Sequence, residues 1–93
     1  MDARAAESLL IFAEQSGRYL KSAGGKGVLE EIEQRYGDLQ AALQWFIDQR
    51  QADESVRLVN ALYAFWITKQ RFEDGAVWFD RVPSPQRQRY RLS

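Results

Sequence analysis

Three groups of residues in this sequence have types and spacing that could do chemistry, and each has a plainer reading. The first is "AGGKGV" at Ala23 to Val28, a lysine behind paired glycines. A phosphate-binding loop needs glycine, four residues, then glycine-lysine-Ser/Thr, and it leads from a strand into a helix. Here Lys26 is followed by Gly27 and a helical pattern precedes it, so the glycines read as a loop between helices. The second group is acidic: Glu30, Glu31 and Glu33 in one short segment, and Glu73 with Asp74 in another. Paired carboxylates do acid–base work when their environments split their pKa values. These fall where a helix faces water, and Glu73 and Asp74 complement a helix N-terminus. The third is a basic cluster of Arg87, Arg89 and Arg91, with Arg81 upstream and Tyr90 among them. Such charges could pair with phosphates while the ring stacks on a base. The plainer reading is a polar helix face whose apolar partners, Tyr90 and Leu92, belong to a next packing layer.

What is missing narrows the chemistry further. The chain has no His and no Cys. It therefore lacks the commonest general base, the commonest transition-metal ligand and any thiolate. No catalytic, cofactor-binding or metal-binding residue is assigned, and no ATP binding is expected. Thirteen basic residues balance thirteen acidic ones, which argues against a general nucleic-acid or membrane binder. A length of 93 residues suits one domain with a modest core, and 45% hydrophobic with 28% charged residues is globular composition. The apolar runs are too short to span a bilayer, and the start "MDARAAESLL" lacks the basic region of a secretory signal. A reducing cytoplasm fits this composition. The tail "RQRYRLS" reads as the end of a short gene product or of a piece of a longer chain.

The elements that would position these residues are all helical. Asp2 to Ser22 carries Ala5, Leu9, Phe12, Ala13, Ser16, Tyr19 and Leu20 on one stripe, with Gly17 marking close approach of a neighbouring helix. A second helix is expected from Gly27 to Tyr36, with Gly37 as the left-handed residue past its end. Asp38 is then the expected cap of a third helix, which reaches Gln51 with Leu39, Ala42, Leu43, Phe46 and Ile47 inward. Asp53 is the next cap candidate. The helix after it runs to Lys69 and carries Val56, Leu58, Val59, Leu62, Tyr63, Phe65, Trp66 and Ile67. It is apolar round most of its circumference, as a central helix is. Phe72 to Val82 predicts another helix with Phe72, Gly75, Ala76 and Phe79 inward, ended by Pro83. Ser84 and Pro85 open one more. The expected fold is all-α, with five or six helices joined by short loops.

The stretch "ALYAFWITKQRFEDGAVWF", Ala61 to Phe79, holds half of the aromatic residues. It reads as a helix, a tight turn and a second helix. In this it resembles a tetratricopeptide repeat, a helical hairpin of about 34 residues with small and large residues at set positions. Leu62, Trp66, Phe72, Gly75, Phe79 and Val82 follow that pattern, while Tyr63 and Gln70 stand where the repeat prefers glycine. A longer resemblance covers Leu9 to Pro83. Asp38-Leu39 with Ala41 to Leu43 and Trp45, then "LVNALYAFW", then "FEDGAVWFDRV" are similar, in order, to the segment after the nucleotide-binding core of bacterial ATPase-linked transcriptional regulators. These are signal-transduction (STAND) NTPases, often with LuxR-type or winged-helix DNA-binding ends. The resemblance implies right-handed superhelical stacking of helical hairpins and a sensor or scaffold role. It does not imply that this chain is itself an ATPase.

Trp45 and Trp78 lie to one side of their helices' stripes. In stacked helical pairs a second apolar face is expected, and left open it is an interaction site. The sequence therefore predicts a non-catalytic interaction module, with Trp45, Trp78, Tyr90 and Leu92 as candidate contact residues. Its expected partner is a peptide, an adjacent domain or a second copy. A two-fold dimer built on the last two helices through Trp78 is the specific expectation. The alternatives are a helical nucleic-acid binder using Arg87, Arg89 and Arg91, and an enzyme with a carboxylate site.

Overall fold

A computed structural model describes residues 1–23 and 26–82 of the chain. They form five α-helices: α1 (Ala3–Ala23), α2 (Lys26–Gln34), α3 (Tyr36–Asp48), α4 (Ala52–Thr68) and α5 (Phe72–Arg81). There is no strand among the described residues.

The helix ends differ from the sequence expectation in instructive ways. Asp2 Oδ1 accepts the Ala5 N–H at 2.8 Å and so satisfies one free donor at the start of α1. Gly37 does not end α2. The break lies earlier, at Arg35 (φ −102°, ψ 8°), and Gly37 sits inside the first turn of α3. Asp38 and Asp53 are not caps either. Each lies in the first turn of its helix, where its charge opposes the helix dipole, and neither Arg35 nor Gln51 makes a side-chain capping bond. Val82 leaves α5 in extended conformation (φ −77°, ψ 141°), as the residue before a proline does.

Two turns of one design join the last three helices. Arg50 N–H bonds to the Ile47 carbonyl and Gln51 N–H to that of Phe46; Gln70 N–H bonds to Ile67 and Arg71 N–H to Trp66. These are paired bonds that close a helix C-terminus around a left-handed residue. That residue is Arg50 (φ 59°) in the first turn and Gln70 (φ 58°) in the second, where glycine is the usual choice.

Helix α4 is central, in contact with α1, α3 and α5. The core it organises includes Phe46, Leu58, Leu62, Phe65 and Trp66, all with 1% exposure or less. α1 lies along it so closely that a β-carbon on Gly17 would come within 2.9 Å of the Ala61 carbonyl oxygen. At the edge of that seam, Arg57 holds Glu14 with two hydrogen bonds, Nε at 3.0 Å and Nη2 at 2.7 Å. Tyr19 and Ala5, expected on the inner stripe of α1, are exposed.

α5 is turned differently from the expectation. Trp78, Gly75 and Val82 face the core, and Trp78 is only 6% exposed. Phe72, Ala76 and Phe79, expected inward, lie outside. The cause is Trp66. Its ring packs against Gly75, where an added β-carbon would stand 3.2 Å from Trp66 Cε3. A β-carbon at that distance would be tighter than most real contacts, so glycine lets the indole lie close to α5 here, and Trp78 is turned inward on the same side as Gly75.

Candidate interaction surface

The rotation of α5 brings three exposed residues, Phe72, Ala76 and Phe79, onto one stripe at i, i+4 and i+7. Beside it α4 presents Tyr63 and Ile67, one turn apart and also exposed. The two stripes meet. The Tyr63 and Phe79 rings stand edge to face with centroids 6.1 Å apart, and Phe79 leans on Trp66 at 6.4 Å. With Trp66 level with Gly75 and Tyr63 level with Phe79, α4 and α5 run antiparallel and share one exposed apolar face. Phe72 is 57% exposed, Tyr63 51% and Phe79 42%. With Ile67, and at 150–250 Å² for a ring, that amounts to an apolar patch on the order of 400 Å². Patches of that size on single chains are often binding sites.

Beneath this face, polar contacts tie four elements together. The Trp66 indole N–H donates to the Tyr36 hydroxyl at 2.8 Å, and that hydroxyl donates to Asp74 Oδ2 at 2.7 Å. Arg71 pairs with Glu33 and Asp74 and lies over the Tyr36 ring, 4.9 Å from its centroid. Burial, and after it the bond to Asp74, pushes the Tyr36 hydroxyl pKa up to about 12. At neutral pH the phenol is therefore a fixed proton holder between an indole and a carboxylate. All its bonds are made within the protein, which is what a structural clasp requires. At the other seam, the hydrogen bond from Arg57 holds the Glu14 carboxyl below its ordinary value.

The residues expected to act are placed as follows. Trp78 does not project outward: it is buried, with the Arg81 guanidinium 5.1 Å from its ring centroid. Trp45 is half-buried, edge-on to Phe46 at 5.5 Å and packed on the core. Tyr90, Leu92, Arg87, Arg89 and Arg91 lie outside the described residues. Of the acids, Glu30, Glu31 and Glu73 are exposed, while Glu33 and Asp74 are held by Arg71. Among the described residues no three metal-ligating side chains converge. Lys26 opens α2, and the element before it in the chain is the helix α1, not a strand.

Sequence reasoning missed Tyr63, Ile67, Phe72 and Phe79 as surface residues. One signal was available. Tyr63 breaks the small-residue pattern of the repeat that the stretch resembles, and a large ring where a small residue is expected marks a face that nothing crowds. Compared with known proteins, the chain matches no family model, and no curated protein or solved structure shows significant similarity to it.

Proposed function

We propose that the chain is a non-catalytic, tetratricopeptide-like interaction module of the cytoplasm, related to the helical segments of bacterial ATPase-linked transcriptional regulators. Its helices would be arranged as hairpins of a right-handed superhelical stack. It would act by packing the apolar face of a protein partner against the exposed α4–α5 face. The observation that supports this reading is the continuous exposed stripe of Tyr63, Ile67, Phe72, Ala76 and Phe79 on helices whose inner sides are fully packed. Leaving three rings half in water forgoes burial worth about 1.5–3 kcal/mol for each full side chain, a cost that a binding face explains. The two departures from the repeat pattern fit the same account. Tyr63 belongs to the face, and Gln70 shapes the turn that sets the two stripes side by side.

The test is selection of helical peptides from a displayed library on the full chain, with Tyr63→Gln/Phe79→Gln as the counter-target. Peptides that bind the wild type and not the double variant support the reading. Failure to enrich any such peptide sinks it.

A further inference from the structure

We infer that the chain supplies a resident occupant for its own binding face: residues 84–93, laid as an extended strap across α4 and α5, which a protein partner must displace. This rests on the α4–α5 face being the binding face. Two hairpins of the chain are built alike. Each bond that closes the Arg50 turn recurs twenty positions on at the Gln70 turn, down to the Ser55 N–H on Gln51 and the Gly75 N–H on Arg71. That offset pairs Leu43 with Tyr63 and Val59 with Phe79. The first member of each pair is buried and the second is exposed. The first hairpin, α3 with α4, carries the next stretch of chain. α5 touches both of its helices, with Gly75 against Trp66 of α4 and Arg81 Nη1 donating to Gln44 Oε1 of α3 at 3.5 Å. The matching face of the second hairpin is left open among the described residues, which end at Val82. By the same step, the chain after Val82 falls on that face.

The sequence of this segment suits the place. Val82 is already extended (φ −77°, ψ 141°), and Ser84 stands before a second proline, which favours extended backbone there too. An extended chain turns Tyr90 and Leu92 to one side and Arg87, Arg89 and Arg91 to the other. A helix, which Ser84 and Pro85 alone would open, sets the two apolar residues on opposite sides. The reach is sufficient. At about 3.3 Å per residue, the chain from Val82 to Tyr90 spans up to ~26 Å, whereas the stripe from Phe72 to Phe79 is ~10 Å long. A second copy is the poorer occupant. Two patches on the order of 400 Å² would bury about 800 Å² in all, below the roughly 1,200 Å² of a stable interface. A tethered segment needs less contact, because its effective concentration is high. With only two apolar anchors it also yields to a partner helix that brings more.

The experiment uses the full chain. It has no cysteine, so Ser93→Cys takes a single nitroxide label. Amide spectra of labelled chain diluted in unlabelled, isotopically silent chain should show broadening along Tyr63, Ile67 and Phe72. Tyr90→Gln/Leu92→Gln and, separately, Tyr63→Gln/Phe79→Gln should remove it. Unchanged broadening in both variants overturns the inference, as does its absence from the parent. Broadening that passes from a labelled copy to an isotope-enriched, unlabelled one gives the face to a second copy and overturns it as well. Peptides selected on the face give the second readout. A segment that closes the face about nine-tenths of the time weakens them about tenfold, so Tyr90→Gln/Leu92→Gln should bind them about tenfold more tightly. Equal affinity overturns the inference and leaves the interaction-module reading standing. A seated segment in a chain that yields no peptide, even with Tyr90→Gln/Leu92→Gln, supports the strap and removes the module reading.

Discussion

A β-carbon on Gly17 would stand 2.9 Å from the carbonyl oxygen of Ala61, a backbone atom held in the central helix. That contact sets how closely α1 lies on α4. Glycine in a helix interior costs about 1 kcal/mol relative to alanine, so on propensity alone Gly17→Ala should stabilise. The clash decides otherwise, because overpacking against backbone costs about 1–3 kcal/mol and neither helix axis can shift without opening the core. We expect Gly17→Ala to lower stability in urea unfolding. Gly37→Ala is the control. Nothing lies within 4 Å of its added β-carbon, so it should gain about 0.5–1 kcal/mol. A stabilised Gly17→Ala would show that α1 does not approach α4 as described.

Arg50 and Gln70 hold left-handed backbone conformations in matching turns. A side chain in that conformation costs roughly 1–2 kcal/mol, which glycine avoids. Part of the gain returns as glycine's greater freedom in the unfolded chain. Arg50→Gly and Gln70→Gly should therefore each raise the urea midpoint by the equivalent of about 0.5–1 kcal/mol with an unchanged slope. Alanine at either position should not. A loss of stability on both glycine substitutions would count against the left-handed assignment.

The helices were legible because their apolar spacing is local. Four of the five lie within two residues of their expected bounds, the usual uncertainty of helix ends, while α3 starts and ends three residues earlier than expected. The rotation of α5 was not legible. Phe72, Gly75, Ala76 and Phe79 satisfy helical spacing, and so do Gly75, Trp78 and Val82; both sets share Gly75. What separates them is Trp66 seated on Gly75, and Asp74 reached by Tyr36 from 38 residues away. Neither is visible within one helix. The turns were half legible. They contain no glycine, but the order large-Ile, two acids, small residue recurs: Phe46-Ile47 with Asp53-Glu54-Ser55, then Trp66-Ile67 with Glu73-Asp74-Gly75. Since the interaction face follows from the rotation of α5, it was hidden for the same reason.

Tyr36→Phe removes the acceptor of the buried Trp66 indole N–H and a donor to Asp74. Leaving a buried donor without a partner costs about 1–3 kcal/mol, and we expect a loss in that range. The pH dependence gives a second readout. The folded-state pKa of about 12 lies above the ordinary value of 10, so between these pH values the unfolded chain has released a proton that the native chain still binds. Stability from this group is complete below pH 10 and is lost as pH rises through 12. Urea unfolding at high pH should show this decline in the wild type, and Tyr36→Phe should lack that part of it. Identical declines in the two proteins would mean that Tyr36 is not held as described.

Trp78 and Phe79 are neighbours in sequence with opposite environments, and substituting each tests the rotation of α5. Trp78 is 6% exposed and Phe79 is 42% exposed. Trp78→Ala should cost about 3–5 kcal/mol, because it leaves a large cavity between α5 and the core. Trp78→Glu should unfold the protein outright, since it would bury an unpaired charge. Phe79→Gln keeps a good helix former and gives up only part of one ring's burial, so its cost should be about 1 kcal/mol. The sequence stripe predicts the reverse order, with Phe79 in the core and Trp78→Glu leaving helicity intact. Circular dichroism and urea unfolding of the three variants distinguish the two rotations. If Phe79→Gln proved the more damaging, α5 would be turned by roughly 80°, nearly one residue, Tyr63 would lose its aromatic neighbour, and the face proposed for binding would not exist.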